Sequence, residues 1–124
     1  MSKPNRKWEK IGHCAVDAGM LMIGDPCYFL GGEPNYTKSW SEFVDEYRDD
    51  SKGDSWRMKH QLCFPLGHAG MGVLAGTAWG DGVYPVFAWK EEGTDRTHAM
   101  LVVTGDDVDL PPEVAKLMEE WRDE

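Results

Sequence analysis

The segment Trp79-Gly80-Asp81-Gly82-Val83-Tyr84-Pro85-Val86-Phe87-Ala88-Trp89 places a carboxylate-bearing turn at the mouth of an apolar, aromatic strand. Glycine admits positive φ and Asp bonds readily to nearby backbone, so a tight corner is expected at Gly80-Asp81-Gly82. The run from Val83 to Trp89 is rich in the residues that favour a pleated, half-buried surface. A second corner resembles it. Ile23-Gly24-Asp25-Pro26-Cys27-Tyr28 ends another short apolar run with an acid, and each corner carries a Tyr three residues beyond its Asp.

Around these corners the pattern predicts mostly strands. Ile11 to Asp17 and Met20 to Gly24, separated by Ala18-Gly19, read as a β-hairpin with a tight turn. Trp56 to Phe64 alternates, with Trp56, Met58, His60, Leu62 and Phe64 on one face and Arg57, Lys59 and Gln61 on the other. After the Gly-rich link Gly67 to Gly72, the runs Val73 to Ala78, Val83 to Trp89 and Thr97 to Thr104 fit an antiparallel meander. Two helices complete the plan. From Ser39 to Asp49, Trp40, Phe43, Val44 and Tyr47 fall at helical spacing behind a Ser39/Glu42 capping box, and Val114, Leu117, Met118 and Trp121 repeat that spacing after Pro111-Pro112. The expectation is an α+β, mostly β single domain over residues 1–124. It is a twisted antiparallel sheet or partly closed barrel of about five to seven strands, with two helices packed outside.

Composition narrows the functional classes. A chain of 124 residues with 41% hydrophobic content suits one globular domain. No run approaches the roughly 18 apolar residues of a membrane span, and the polar start precedes no signal-type apolar core, so a soluble, cytoplasmic protein is expected. Cys14, Cys27 and Cys63 fit neither a disulfide framework nor a close-spaced zinc pair and read as free thiols. Thirteen basic against 22 acidic residues leave a net charge of −9, which repels a phosphate backbone and argues against nucleic-acid binding. The acidic stretches Glu42 to Asp54 and Asp106 to Glu124 read as solvated helix faces, with a basic protein surface as the alternative use.

The motifs Asp17-Ala18-Gly19, Gly24-Asp25-Pro26 and Gly80-Asp81-Gly82-Val83-Tyr84-Pro85-Val86 resemble those of the DUF4241-like family of small bacterial and bacteriophage proteins. The resemblance covers about a third of the chain. It implies a mostly β domain and a prokaryotic or phage origin, and brings no established activity with it.

The candidate ligand-binding residues are Asp25, Tyr28, Arg57, His68, Trp79, Asp81 and Tyr84. Asp81 also suits plain turn chemistry, and an Asp before Pro commonly opens a turn. His68 lies in a Gly-rich connection of the kind that carries binding loops. His60, in the apolar phase of its strand, reads as a core histidine. Among six tryptophans, Trp40 and Trp121 fit helix stripes and a core role, whereas Trp56, Trp79 and Trp89 stand at or beside strand ends. There an indole packs inside or stacks a planar ligand. A pocket of Trp79, Tyr84 and Tyr28, with Arg57 or Lys59 supplying charge, would suit a nucleotide-like molecule. The leading expectation is a non-enzymatic binding protein that sequesters such a signal or masks a host protein. Alternatives are a metal-assisted hydrolase or phosphodiesterase using Asp25 and Asp81 with His68 as proton carrier, and an acidic protein inhibitor. No particular cofactor is indicated, and an exposed edge strand leaves homo-oligomers open.

Overall fold

The computed structural model describes residues 5–30, 39–48, 58–64 and 67–122. Among them are six strands and three helices: β1 (Arg6–Val16), β2 (Met20–Gly24), α1 (Pro26–Leu30), α2 (Trp40–Tyr47), β3 (Gln61–Cys63), β4 (Ala69–Gly76), β5 (Gly82–Glu91), β6 (Thr97–Val102) and α3 (Pro112–Arg122). The α+β, mostly β class is therefore realised. The strands form two antiparallel three-stranded sheets, in the orders β1-β5-β6 and β2-β4-β3, and neither closes into a barrel.

The backbone divides into two compact units. One comprises Met1–Ala18 with Ala78–Glu124, the other Gly19–Thr77. The hairpin expected between β1 and β2 does not form. β1 instead follows β5 from Arg6↔Glu91 to Val16↔Gly82, while β2 pairs with β4. An alternating strand specifies which face it buries rather than which strand it pairs with, and the long apolar run of β5 is the partner that matches β1 in length. Gly19, at φ 69°, makes the turn that takes the chain from one sheet to the other. Thr77 N–H then donates to the Gly19 carbonyl at 3.0 Å, so the two ends of the Gly19–Thr77 unit are held together where it is inserted between β1 and β5.

In the first unit, α3 packs on β1 and β5. Val114 and Met118 from its apolar stripe join Phe87 and Val103 in the core, with Trp8, Leu101, Leu110 and Leu117 around them. Pro112 opens the helix where its missing N–H costs nothing, and the first helical bond runs from Ala115 N–H to the Pro111 carbonyl at 2.9 Å. Glu113 ties this end to the sheet by accepting from Trp8 N–H at 3.1 Å. Of the expected three-strand meander, the β5–β6 hairpin forms, its turn carrying Gly93 at φ 77°, whereas β4 pairs with β2 and β3 in the other sheet.

In the second unit, Phe43 and Tyr47 of α2 pack with Leu62, Met71 and Leu74. Ser39 Oγ accepts from Glu42 N–H at 3.3 Å, which is the cap the sequence predicts. Several expectations need correction here. Trp40, expected in the core, is 58% exposed and stacks on Phe43 with centroids 5.6 Å apart. Of the strand expected from Trp56 to Phe64, the described residues form β3 at Gln61–Cys63, with Met58 making an isolated bridge to Arg48. Trp56 and Arg57 lie outside the described residues. His60, expected to point inward, is exposed, and its ring Nδ1 donates to the Leu74 carbonyl at 2.8 Å. Because a carbonyl only accepts, that bond places the proton on Nδ1. The Gly-rich link is itself strand from Ala69 onward.

Candidate functional site

Asp25 and Tyr28 belong to the second unit, and Asp25 has a structural task. Its Oδ1 accepts from Cys27 N–H at 3.0 Å and its carbonyl from Tyr28 N–H at 3.1 Å, so it caps α1, with Pro26 in the first helical position. The Asp-Pro pair thus marks a helix start rather than only a turn. Asp25 also holds the exposed Cys27 thiol above its ordinary pKa, first through a side-chain hydrogen bond and then, with partial burial, through its charge. Such a thiol keeps its proton and is a poor nucleophile. Tyr28 is half-buried and meets Phe64 edge-on, centroids 4.9 Å apart. His68 is exposed, and its carbonyl accepts from Phe64 N–H at 2.7 Å.

Trp79, Asp81 and Tyr84 belong to the first unit. Gly80, at φ 71°, opens the corner, and Asp81 at its tip is exposed. Tyr84 folds back over this corner. Its hydroxyl donates to the Gly80 carbonyl at 2.8 Å, and a Cβ on Gly82 would lie 3.4 Å from its ring. The Gly-Asp-Gly-Val-Tyr spacing is thereby explained as a lock in which the phenol holds the turn. Tyr84 offers its neighbours mainly a ring.

Trp79 and Tyr84 line one cleft of about 170 Å³, together with Trp121 and Met118 of α3 and Thr104 and Asp106 of the segment after β6. Trp79 is 65% exposed, an unusual position for so large an apolar ring. The segment carrying Asp106 turns at Asp107, whose φ of 56° lies in the left-handed region. Two of the seven candidate residues are therefore brought into one cleft with Asp81 in the adjoining turn. Sequence reasoning assigned Trp121 to the core and missed Thr104, Asp106 and Met118. The available signal was the turn-forming run Thr104-Gly105-Asp106-Asp107 after an apolar strand, beside a helix carrying Trp121.

A second polar region lies at the far end of β5. Glu91 is buried, with Oε1 3.2 Å from His98 Nε2 and Oε2 accepting from Thr94 Oγ1 at 3.2 Å. Lys90 Nζ lies 3.3 Å from Glu9 and 3.4 Å from Asp95, and these carboxylates raise its pKa, Glu9 the more. Lys7, Glu9, Glu91 and Thr94 help line a cleft of about 410 Å³ here. Of its charges Lys90 pairs with Glu9 and Asp95 and Glu91 with His98, and the Lys90–Asp95 and Glu91–His98 pairs fasten the β5–β6 hairpin. Trp89 is similarly engaged, stacked with Trp8 at 6.4 Å and under the Arg6 guanidinium at 5.3 Å.

Glu91 carries a pH dependence. Burial pushes its carboxyl up, but hydrogen bonds from His98 and Thr94 and the positive charge of Arg96 outweigh burial and leave it below the ordinary value of 4.5. A depressed folded-state pKa contributes stability above the unfolded pKa, and that contribution disappears as pH falls through the folded value. Glu91→Gln is therefore expected to narrow the difference from wild type as pH drops below 4.5. Thermal unfolding of both proteins between about pH 3 and pH 7 checks this, and parallel curves across the acid limb would refute it.

Among the described residues, no group of three or more His, Cys, Asp or Glu side chains is placed to hold a metal ion, and no helix is long and apolar enough to cross a membrane. Comparison of the chain with protein-family models, with curated proteins and with solved structures finds no match.

Proposed function

We propose that the chain is a non-enzymatic binding protein whose small-molecule ligand seats in the Trp79 cleft. The observation that carries this reading is the exposed indole of Trp79 at a concavity also walled by Tyr84 and Trp121. Exposing a Trp forfeits the burial that ordinarily stabilises a fold, whereas an accessible indole gives a ligand a stacking surface. Thr104 and Asp106 add polar contacts at the same cleft, the combination of apolar walls and few polar groups that orients a small ligand. The described residues lining it include no Lys or Arg, which favours a ligand without a phosphate over a nucleotide. A place in the DUF4241-like family, a bacterial or phage origin and a cytoplasmic setting belong to the same reading. They rest on the Gly80 to Val86 motif and on the sequence composition.

The test is Trp79→Ala. Because the side chain is largely exposed, the substitution is expected to change stability by about 0.5 kcal/mol or less. Loss of a stacking platform is expected to weaken a cleft ligand roughly tenfold or more. Tryptophan-fluorescence titration with neutral, anionic and cationic small molecules would measure both proteins side by side. A ligand held equally well by wild type and variant would remove the cleft from the account.

A further inference from the structure

We infer that the ligand of this cleft is a linear alkyl polyammonium, an identification that rests on the small-molecule reading above. The Trp79 cleft does not end at Met118. Val103, Gly105 and Met118 also line a second cleft of about 230 Å³, so the two abut along one side of α3. The second cleft adds the apolar residues Val108 and Leu110 and the acidic residues Asp107 and Glu119 to the lining. The two neighbouring clefts thus share a wall, one being lined largely by aromatic and the other by aliphatic residues. Their charged lining residues are Asp106, Asp107 and Glu119, all acidic.

That pattern matches one kind of molecule. Ammonium groups are attracted both to carboxylates and to indole faces, while intervening methylenes lie on aliphatic side chains. An anion would bring like charges together at three positions. A neutral planar molecule would use the aromatic residues and leave the acidic ones unused. Trp121 already attracts an ammonium within the protein, for Lys10 Nζ sits 5.5 Å from its ring centroid. Lys10 is absent from the residues lining either cleft, so its charge acts on a bound ligand from outside. For a cationic ligand that charge is a competitor. The net charge of −9 further raises the local concentration of cations.

Spermidine is a suitable probe, titrated at about 150 mM salt to screen diffuse attraction. Saturable binding that shifts the indole N–H resonances of Trp79 and Trp121 is expected. The double substitution Asp106→Asn with Glu119→Gln should weaken it roughly tenfold or more, and Lys10→Met should tighten it about twofold to threefold. Glu92→Gln removes one charge at the opposite end of β5, about 30 Å away along the strand, and should leave affinity within about twofold. Equal weakening by Glu92→Gln and the double variant would reduce the effect to bulk charge and overturn the inference. Binding of adenosine but not spermidine, with Trp79→Ala abolishing it, would overturn the polyammonium while retaining the cleft. No binding by either probe and unmoved indole resonances would overturn both. The resonance shifts are read on the unmodified protein, so the result does not depend on any variant folding.

Discussion

Phe87→Ala is expected to cost about 3–5 kcal/mol, the range for removing a buried aromatic ring and leaving a cavity. Phe87 is fully buried, faces Leu101 on β6 in register and packs with Val103, Val114 and Met118. Its ring therefore joins the middle of the three-stranded sheet to α3, and neighbours on both sides are fixed by strand pairing or helix packing. Such a site collapses poorly around a void. With total stabilities of small proteins near 5–15 kcal/mol, the melting temperature should fall by about 10 °C or more. Met100→Ala on β6, at a residue 63% exposed, provides the comparison and should stay within about 0.5 kcal/mol. Similar melting temperatures for wild type and Phe87→Ala would remove Phe87 from the centre of this core.

The elements whose residues alone determine burial were legible. β5 announces itself because Val, Tyr, Phe and Trp follow a glycine corner, and α2 and α3 because their apolar residues recur at helical spacing. Pairing was not legible. Nothing in the alternation of β1 distinguishes β2 from β5 as a partner, and the Ala18-Gly19 turn serves a change of sheet as well as a hairpin. His60 departs from the alternation because a bond to the Leu74 carbonyl satisfies its polar ring at the surface, a contact that its apolar neighbours in sequence do not signal. Trp40 fits the helix stripe yet lies at its first residue, where the stripe leaves the core.

The same distinction governs the site. Trp79 and Tyr84 were legible because aromatics beside a glycine corner are local features. Asp106 and Met118 were not, since their meeting with Trp79 depends on how the segment after β6 and α3 pack on the sheet. Asp25 and Asp81 look alike in sequence and differ in task. One caps α1 and the other tips a turn fastened by Tyr84.

Gly72→Ala should destabilise the protein by about 1–3 kcal/mol, reversing the usual benefit of replacing glycine in a compatible conformation. Gly72 faces Gly24 across β2 and β4 and Leu62 across β3 and β4. A Cβ at Gly72 would stand 2.8 Å from the Ile23 carbonyl oxygen and 3.2 Å from Leu62 Cδ1. The first of these is backbone inside a paired strand, so relief requires the β2–β4 ladder to open. At Gly24 the nearest obstacle is different, the Phe29 ring at 2.7 Å, although the Met71 carbonyl oxygen follows at 3.1 Å. Phe29 thus occupies space that the facing glycines leave empty. Shortening that ring with Phe29→Leu should recover part of the cost of Gly24→Ala and little of the cost of Gly72→Ala. Gly12→Ala is the control on β1, because its Cβ would meet nothing within 4 Å, and it should be neutral or stabilising. Thermal and urea unfolding of the five variants separates backbone collision from side-chain crowding. Equal rescue of both glycine variants by Phe29→Leu would show that the ring, and not the Ile23 carbonyl, sets the spacing of this sheet.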